Sequence, residues 1–221
     1  MKPVASLSLD ADNQWSYEMI RGEPDWESAP SYLGRMAPRV LELLDARDVF
    51  ITFFLIGRDA ETDADAFASL AAAGHEIGNH SYSHPIYLYR SPGETRRQLE
   101  RAQRVITDVT GVTPKFARPP CGVRTPAYFR AAQHFGLRTV QWDVAGFDWK
   151  TRNANQIAHE VLRRVVPGSI ILLHDGDNEG KQDRRETVVA LPLIIEGLRA
   201  RGLKVVPLTE MLMESEVELA A

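Results

Sequence analysis

Positions 188–207 read VVALPLIIEGLRARGLKVVP, a helical pattern followed by a strand. Val188, Leu191, Ile194, Ile195 and Leu198 recur three or four residues apart, which on a helix makes one apolar stripe. Gly202 follows as a left-handed stop, and the apolar run 204–207 reads as a short strand. The same order of helix, glycine and strand recurs upstream. Leu99, Ala102, Val105, Ile106 and Val109 form a stripe that ends at Gly111 and leads into a strand at 115–118, and Gly136 precedes another at 138–142. Leu33, Met36, Val40, Leu43 and Leu44 form a third stripe, before the run 50–56, and further strand-like runs lie at 4–9, 75–79 and 169–173. About seven short strands alternating with striped helices predict an α/β fold, a parallel sheet with helices outside, closed or nearly closed into a barrel.

One segment breaks the rhythm. Residues 13–31 separate the first strand from its helix and carry Trp15, Tyr17 and Trp26 among polar residues. They read as a long loop whose aromatics either cover the barrel or meet a ligand.

A chain of 221 residues that is 44% hydrophobic can bury one core, so a single domain over 1–221 is expected. The net charge of −4, with acids and bases interspersed, argues against nucleic acid or an anionic membrane as partner. No run is long and apolar enough for a membrane span. Cys121 is the sole cysteine, which excludes an internal disulfide and a cysteine-built zinc site, and its residue type suits a small filler more than a nucleophile. The first ten residues show no signal-peptide pattern, so a cytoplasmic location is expected, with secretion open if the chain is trimmed. Oligomeric state is not legible.

Residues able to carry chemistry gather at the carboxyl ends of the predicted strands, the edge that bears active sites in α/β barrels. GHEIGNHSYSH at 74–84 places His80 and His84 four apart, which on a helical turn would face the same way. Two neutral imidazoles and a carboxylate make a site for zinc or a similar divalent ion. Asp10 and Asp12, directly after the first strand, offer that carboxylate and a second acid free to act as a base; the bland alternative is a helix or turn cap. His174 ends the run 169–173 and could protonate a leaving amine. Arg118 and the acids around Trp142 and Trp149 complete five strand ends with ionisable groups. His134 and His159 read as structural or surface, and His75 as a buried residue hydrogen-bonded to backbone.

With these residues in view, the chain resembles the polysaccharide deacetylase family, the NodB homology domain or carbohydrate esterase family four. Asp10 and Asp12 stand where the family has its base and metal aspartates. His80 and His84 fit His-Ser-x-x-His, Arg118-Pro119-Pro120 the arginine motif, Asp148-Trp149 the end of Asp-x-x-Asp-Trp with Ala145 at its first aspartate, and Ile171 with His174 the motif Leu-x-x-His. The resemblance implies a distorted (β/α)7 barrel and a metal-dependent hydrolase that removes N-acetyl groups from an amino sugar in an oligo- or polysaccharide. It implies one divalent ion, zinc before cobalt or another, on Asp12, His80 and His84, with Asp10 as base and His174 as acid. Arg118, paired with Asp148, would hold Asp10. Trp149 and Ile171 would line the acetyl pocket, with Trp15 and Tyr82 as further sugar contacts. The rival readings are an O-acetyl esterase on xylan, a deformylase or deacetylase of a lipid-linked amino sugar, and a non-catalytic sugar-binding protein.

Overall fold

The computed structural model describes residues 3–85, 91–150, 153–174 and 185–219, with side chains through 213. Among them eight strands form one sheet: β1 (Val4–Ala11), β2 (Thr52–Leu55), β3 (Glu76–Asn79), β4 (Phe116–Ala117), β5 (Arg138–Thr139), β6 (Val144–Ala145), β7 (Ile170–His174) and β8 (Lys204–Val206). Every pairing is parallel, in the order β5-β4-β3-β2-β1-β7-β6. Ser6 of β1 partners Ile170 on one side and Val206 on the other, whereas Ser8 partners Leu172 and Thr52. One edge of β1 is therefore shared, with β8 along its first half and β2 along its second.

The helices are α1 (Asn13–Arg21), α2 (Leu33–Asp45), α3 (Gly57–Thr62), α4 (Ala64–Ala72), α5 (Pro92–Thr110), α6 (Pro126–His134), α7 (Ala154–Leu162), α8 (Arg185–Ala200) and α9 (Leu208–Leu219). The three predicted stripes fall on α2, α5 and α8. Gly111, Gly136 and Gly202 all take positive φ, between 67° and 77°, as their places after helices require. No helix among the described residues is long and apolar enough to cross a membrane.

The sheet is a curled half-barrel, and one contact demonstrates the curl. Arg118 follows β4, three strands from β1, a separation of about 14 Å in a flat sheet. Its guanidinium nevertheless lies 2.6 Å from Asp10 at the end of β1. Period-two alternation then sorts β1. Ala5, Leu7, Leu9 and Ala11 join the large core beneath the helices. Val4 turns to the inside, into a smaller cluster with Phe54, Phe116, Val140 and Val206. Ser8 and Asp10, on the same parity, meet Arg118 above it. The concave face is thus apolar at one end and polar at the other, where the strands finish.

Two expectations are corrected here. The segment 13–31 is not a long loop: it holds α1, capped by left-handed Gly22, and a 3-10 turn at Trp26–Ser28. The run 138–142 yields only a two-residue β5, and β6, two residues long, is an eighth strand that the apolar pattern did not mark.

Candidate active site and metal centre

A cavity of about 530 Å³ opens at the carboxyl ends of the strands, lined by Asp10, Asp12, His80, His84 and His174 together with Tyr17, Cys121, Trp142, Trp149 and Leu172. This size suits a small-molecule site, and its few polar groups converge among apolar and aromatic walls.

Asp12, His80 and His84 are all buried, and one potential ligand atom from each lies within 4.8 Å of the other two. His80 Nε2 is 3.3 Å and His84 Nε2 3.7 Å from Asp12 Oδ1. Asp12 occupies the N-cap position of α1, but its side chain makes no capping hydrogen bond there. His80 Nδ1 lies 2.8 Å from the Arg118 carbonyl. A carbonyl only accepts, so Nδ1 carries a proton and Nε2 is the nitrogen turned toward Asp12; burial disfavours the charged imidazole, but the Asp10 and Asp12 carboxylates outweigh it and the net shift is upward. Burial pushes the His84 imidazole down to about 4, against the pull of the Asp12 carboxylate, so it is neutral at pH 7. Burial also works against the charged form of Asp12, but below about pH 4, where both imidazoles are protonated, the charge of His84 and the hydrogen bond and charge of His80 outweigh it and hold the carboxyl far below its usual range.

The histidine pair does not sit on a helical turn, as its spacing suggested. Residues 80–85 form a bent loop in which Ser81 and His84 take φ of 67° and 46°. Left-handed backbone at a non-glycine residue costs about 1–3 kcal/mol and needs support. The Ser81 amide donates to Asn79 Oδ1 at 2.9 Å and the His84 amide to Ser81 Oγ at 3.1 Å. Gln98 of α5 accepts from the amides of Tyr82 and Ser83 at 3.1 and 2.8 Å. Sequence reasoning missed Gln98; its place on the inner stripe side of α5, one residue before Leu99, was a faint signal at most.

Asp10 accepts from Arg118 Nη1 at 2.6 Å, and Arg118 Nη2 donates to Ser8 Oγ at 2.8 Å. Arg118 is fully buried and stacks over Phe54 at 4.0 Å. The expected pairing of Arg118 with Asp148 is therefore corrected. Asp148 turns to His174: its Oδ1 lies 3.0 Å from His174 Nδ1, and its Oδ2 accepts from the His174 amide at 2.6 Å and from Thr187 Oγ1 at 3.2 Å. Burial alone would lower the His174 imidazole, but the Asp148 carboxylate together with Asp12 and Asp10 more than offsets it and the net shift is upward. Asp10 and His174 are register partners on adjacent strands.

Of the expected substrate contacts, Trp149 lines the cavity and meets His174 edge-on at 5.0 Å. The other three do not line it. Ile171 has opposite parity to His174 and packs in the core under the helices; Leu172 takes its place. Trp15 is buried against α3, its Nε1 donating to Asp59 Oδ1 at 2.6 Å, and Tyr17 is the aromatic of α1 that reaches the cavity. Tyr82 lies under Arg101 and donates to Glu61 at 2.7 Å. Cys121, expected as filler, lines the cavity with φ of 52°. The residue is exposed, but desolvation of the thiol against the cavity wall, reinforced by Asp12 and Asp10, pushes it up to about 11, which disfavours a nucleophilic role. His75 accepts from the Ile51 amide at 3.3 Å, the backbone bond expected of it.

A family model described as polysaccharide deacetylase matches residues 26–140. A peptidoglycan-N-acetylglucosamine deacetylase of Bacillus cereus is 35% identical over 182 residues, covering 81% of this chain and 64% of that protein. A chitooligosaccharide deacetylase of Bradyrhizobium sp. is 32% identical over 182 residues, covering 79% and 83%. Among solved structures, the Bc1960 peptidoglycan N-acetylglucosamine deacetylase superimposes with a TM-score of 0.78 at 30% identity, over 94% of this chain and 87% of that one. BA3943 of Bacillus anthracis, described as a pseudoenzyme of the CE4 family, superimposes with a TM-score of 0.79 at 29% identity, over 96% and 66%.

Proposed function

The chain belongs to the polysaccharide deacetylase family, and from that membership we propose that it is a metal-dependent hydrolase removing N-acetyl groups from an amino sugar in an oligo- or polysaccharide, with release of acetate. One observation carries the reading. An acid pair, two imidazoles with their metal-binding nitrogens turned to one carboxylate oxygen, and a carboxylate-backed histidine all meet in one cavity.

Asp12, His80 and His84 would hold a single divalent ion, and the donor set fits one: a carboxylate and two imidazoles suit zinc first, with cobalt as a substitute. The Arg118 carbonyl holds His80 by Nδ1 and leaves Nε2 as its ligand atom, whose proton an ion would displace, and His84 is already neutral. When bound, such an ion supplies Lewis acidity, easing deprotonation of a water and polarising an acyl oxygen. The remaining work falls to side chains. Arg118 fixes Asp10 through Oδ1, and Asp10 takes a proton from the attacking water as the new carbon–oxygen bond forms. Asp148 holds His174 by Nδ1, which leaves Nε2 to donate a proton to the amine nitrogen as the carbon–nitrogen bond breaks. Trp142, Trp149 and Tyr17 give the cavity aromatic walls suited to sugar rings.

A non-catalytic role, for which BA3943, described as a pseudoenzyme, is a precedent among the similar structures, is disfavoured because base, acid and all three ligand candidates are present and converge. The test is acetate release by zinc-loaded protein from N-acetylglucosamine oligomers, acetylxylan and a lipid-linked N-acetyl sugar. Release from the oligomers in preference to the other two is expected. Preferential release from either of the others would reassign the substrate, and release from none would overturn the enzymatic reading.

A further inference from the structure

α1 starts directly after Asp12 and turns one face to the cavity, with Tyr17, Ile20 and Arg21 at i, i+3 and i+4 all lining it. Tyr17 is buried, and its hydroxyl donates to Asp12 Oδ2 at 3.0 Å. The two oxygens of Asp12 are thereby distinguished: Oδ1 faces the Nε2 atoms of His80 and His84, while Oδ2 is held by the phenol. The helix that carries the phenol is itself anchored. Asp59 of α3 accepts from Trp15 Nε1 at 2.6 Å and from Asn13 Nδ2 at 3.1 Å, and Asn13 also donates to Ser31 at 3.0 Å. The Arg58 guanidinium lies over Trp15 at 4.5 Å and over Trp26 at 4.7 Å.

We infer that Tyr17 is a positioning residue for the metal site, an inference that rests on the metal-dependent reading above. Its hydrogen bond fixes the rotation of the Asp12 carboxylate so that a single oxygen is presented to the ion beside the two imidazoles. Partners of this kind set ligand orientation and basicity, and their loss typically weakens metal affinity by about 10–100-fold. The residue is not a ligand and does not touch the reacting atoms; it acts through Asp12.

The experiment uses Tyr17→Phe, which keeps the ring and removes only the hydroxyl, with Ile20→Ala as the control that opens the same wall without touching a polar atom. Zinc affinity is measured by competition with a chromophoric chelator, cobalt coordination by visible absorption, and the fold by thermal melting of the metal-free proteins. Tyr17→Phe should bind zinc about 10–100-fold more weakly and shift the cobalt bands, with the metal-free melting temperature close to the parent's. Ile20→Ala should keep the parent's affinity and spectrum. Parental affinity and spectrum in Tyr17→Phe would overturn the inference, as would an equal loss in both variants. If the parent protein itself bound neither ion, the metal-dependent reading would fall, an outcome distinct from the loss of the Tyr17 role alone.

Discussion

Asp10 and His174 sit side by side on β1 and β7, yet each has its own charged partner, Arg118 for one and Asp148 for the other. The separation lets the two roles be tested independently. Asp10→Asn removes a proton acceptor and leaves Asp12, His80 and His84 in place, so metal content should be retained while kcat falls by about 10²-fold or more, read by acetate release alongside elemental analysis. Lost metal with retained turnover would exchange the roles of Asp10 and Asp12. For His174 the sign follows from Asp148. The carboxylate raises the imidazole against the opposing effect of burial, so Asp148→Asn should lower it. The protonated form donates to the leaving amine, so the basic limb of kcat/KM should move to lower pH, and a limb that stayed put would remove His174 as its source. At this scale the sequence displayed the residue types and the edge they share, because a strand followed by a polar residue is a local pattern. It did not display the pairing of Arg118, which depends on a sheet curl that no local pattern encodes. Ile171 is a different kind of miss: His174 and Leu172 share strand parity, so alternation alone was enough to favour Leu172.

Between elements, the histidine loop depends on how closely α3 approaches α5. A Cβ built on Gly57 would lie 2.9 Å from the Ala102 Cα and 2.9 Å from Tyr82 Cδ2. Gly57→Ala should therefore destabilise the protein by about 1–3 kcal/mol, the usual scale for overpacking, measured as a lower urea midpoint at unchanged slope. An unchanged midpoint would mean that the helices separate freely there. The helices and longer strands were legible because an apolar stripe at 3.6 residues or an apolar run bounded by glycine is a strong signal. β5 and β6 were not, since two-residue strands carry almost no pattern. α1 was hidden by its aromatics: Trp15 and Tyr17 are two apart and face different neighbours, Asp59 and Asp12, so they make no stripe. Gly22, left-handed at φ 75°, was the available hint of a helix end.

Across the molecule, two buried groups away from Asp10 and His174 give stability opposite dependences on pH. Burial pushes His75 down to about 4, below its unfolded value of about 6.5. Its contribution is present above about pH 6.5 and lost as pH falls through 4. Asp59 is pushed up to about 7, chiefly by burial, against the hydrogen bonds from Trp15 and Asn13, so its contribution is full below the unfolded value of 3.8 and lost as pH rises through 7. Asp59→Asn keeps an accepting oxygen and abolishes that titration. In metal-free protein its stability relative to the parent should climb by up to ~4 kcal/mol between pH 4 and 7, whereas a gap constant with pH would show that Asp59 titrates normally. Whether the concave face of this sheet hydrolyses N-acetyl groups with one divalent ion on Asp12, His80 and His84 is read by titrating zinc into chelator-treated protein while following acetate release from N-acetylglucosamine oligomers. The rate should be near zero without metal, rise until about one equivalent is bound, and fail to recover in the His80→Ala and His84→Ala double variant; equal acetate release before and after chelation, or full recovery in the double variant, would rule out catalysis by an ion on these residues.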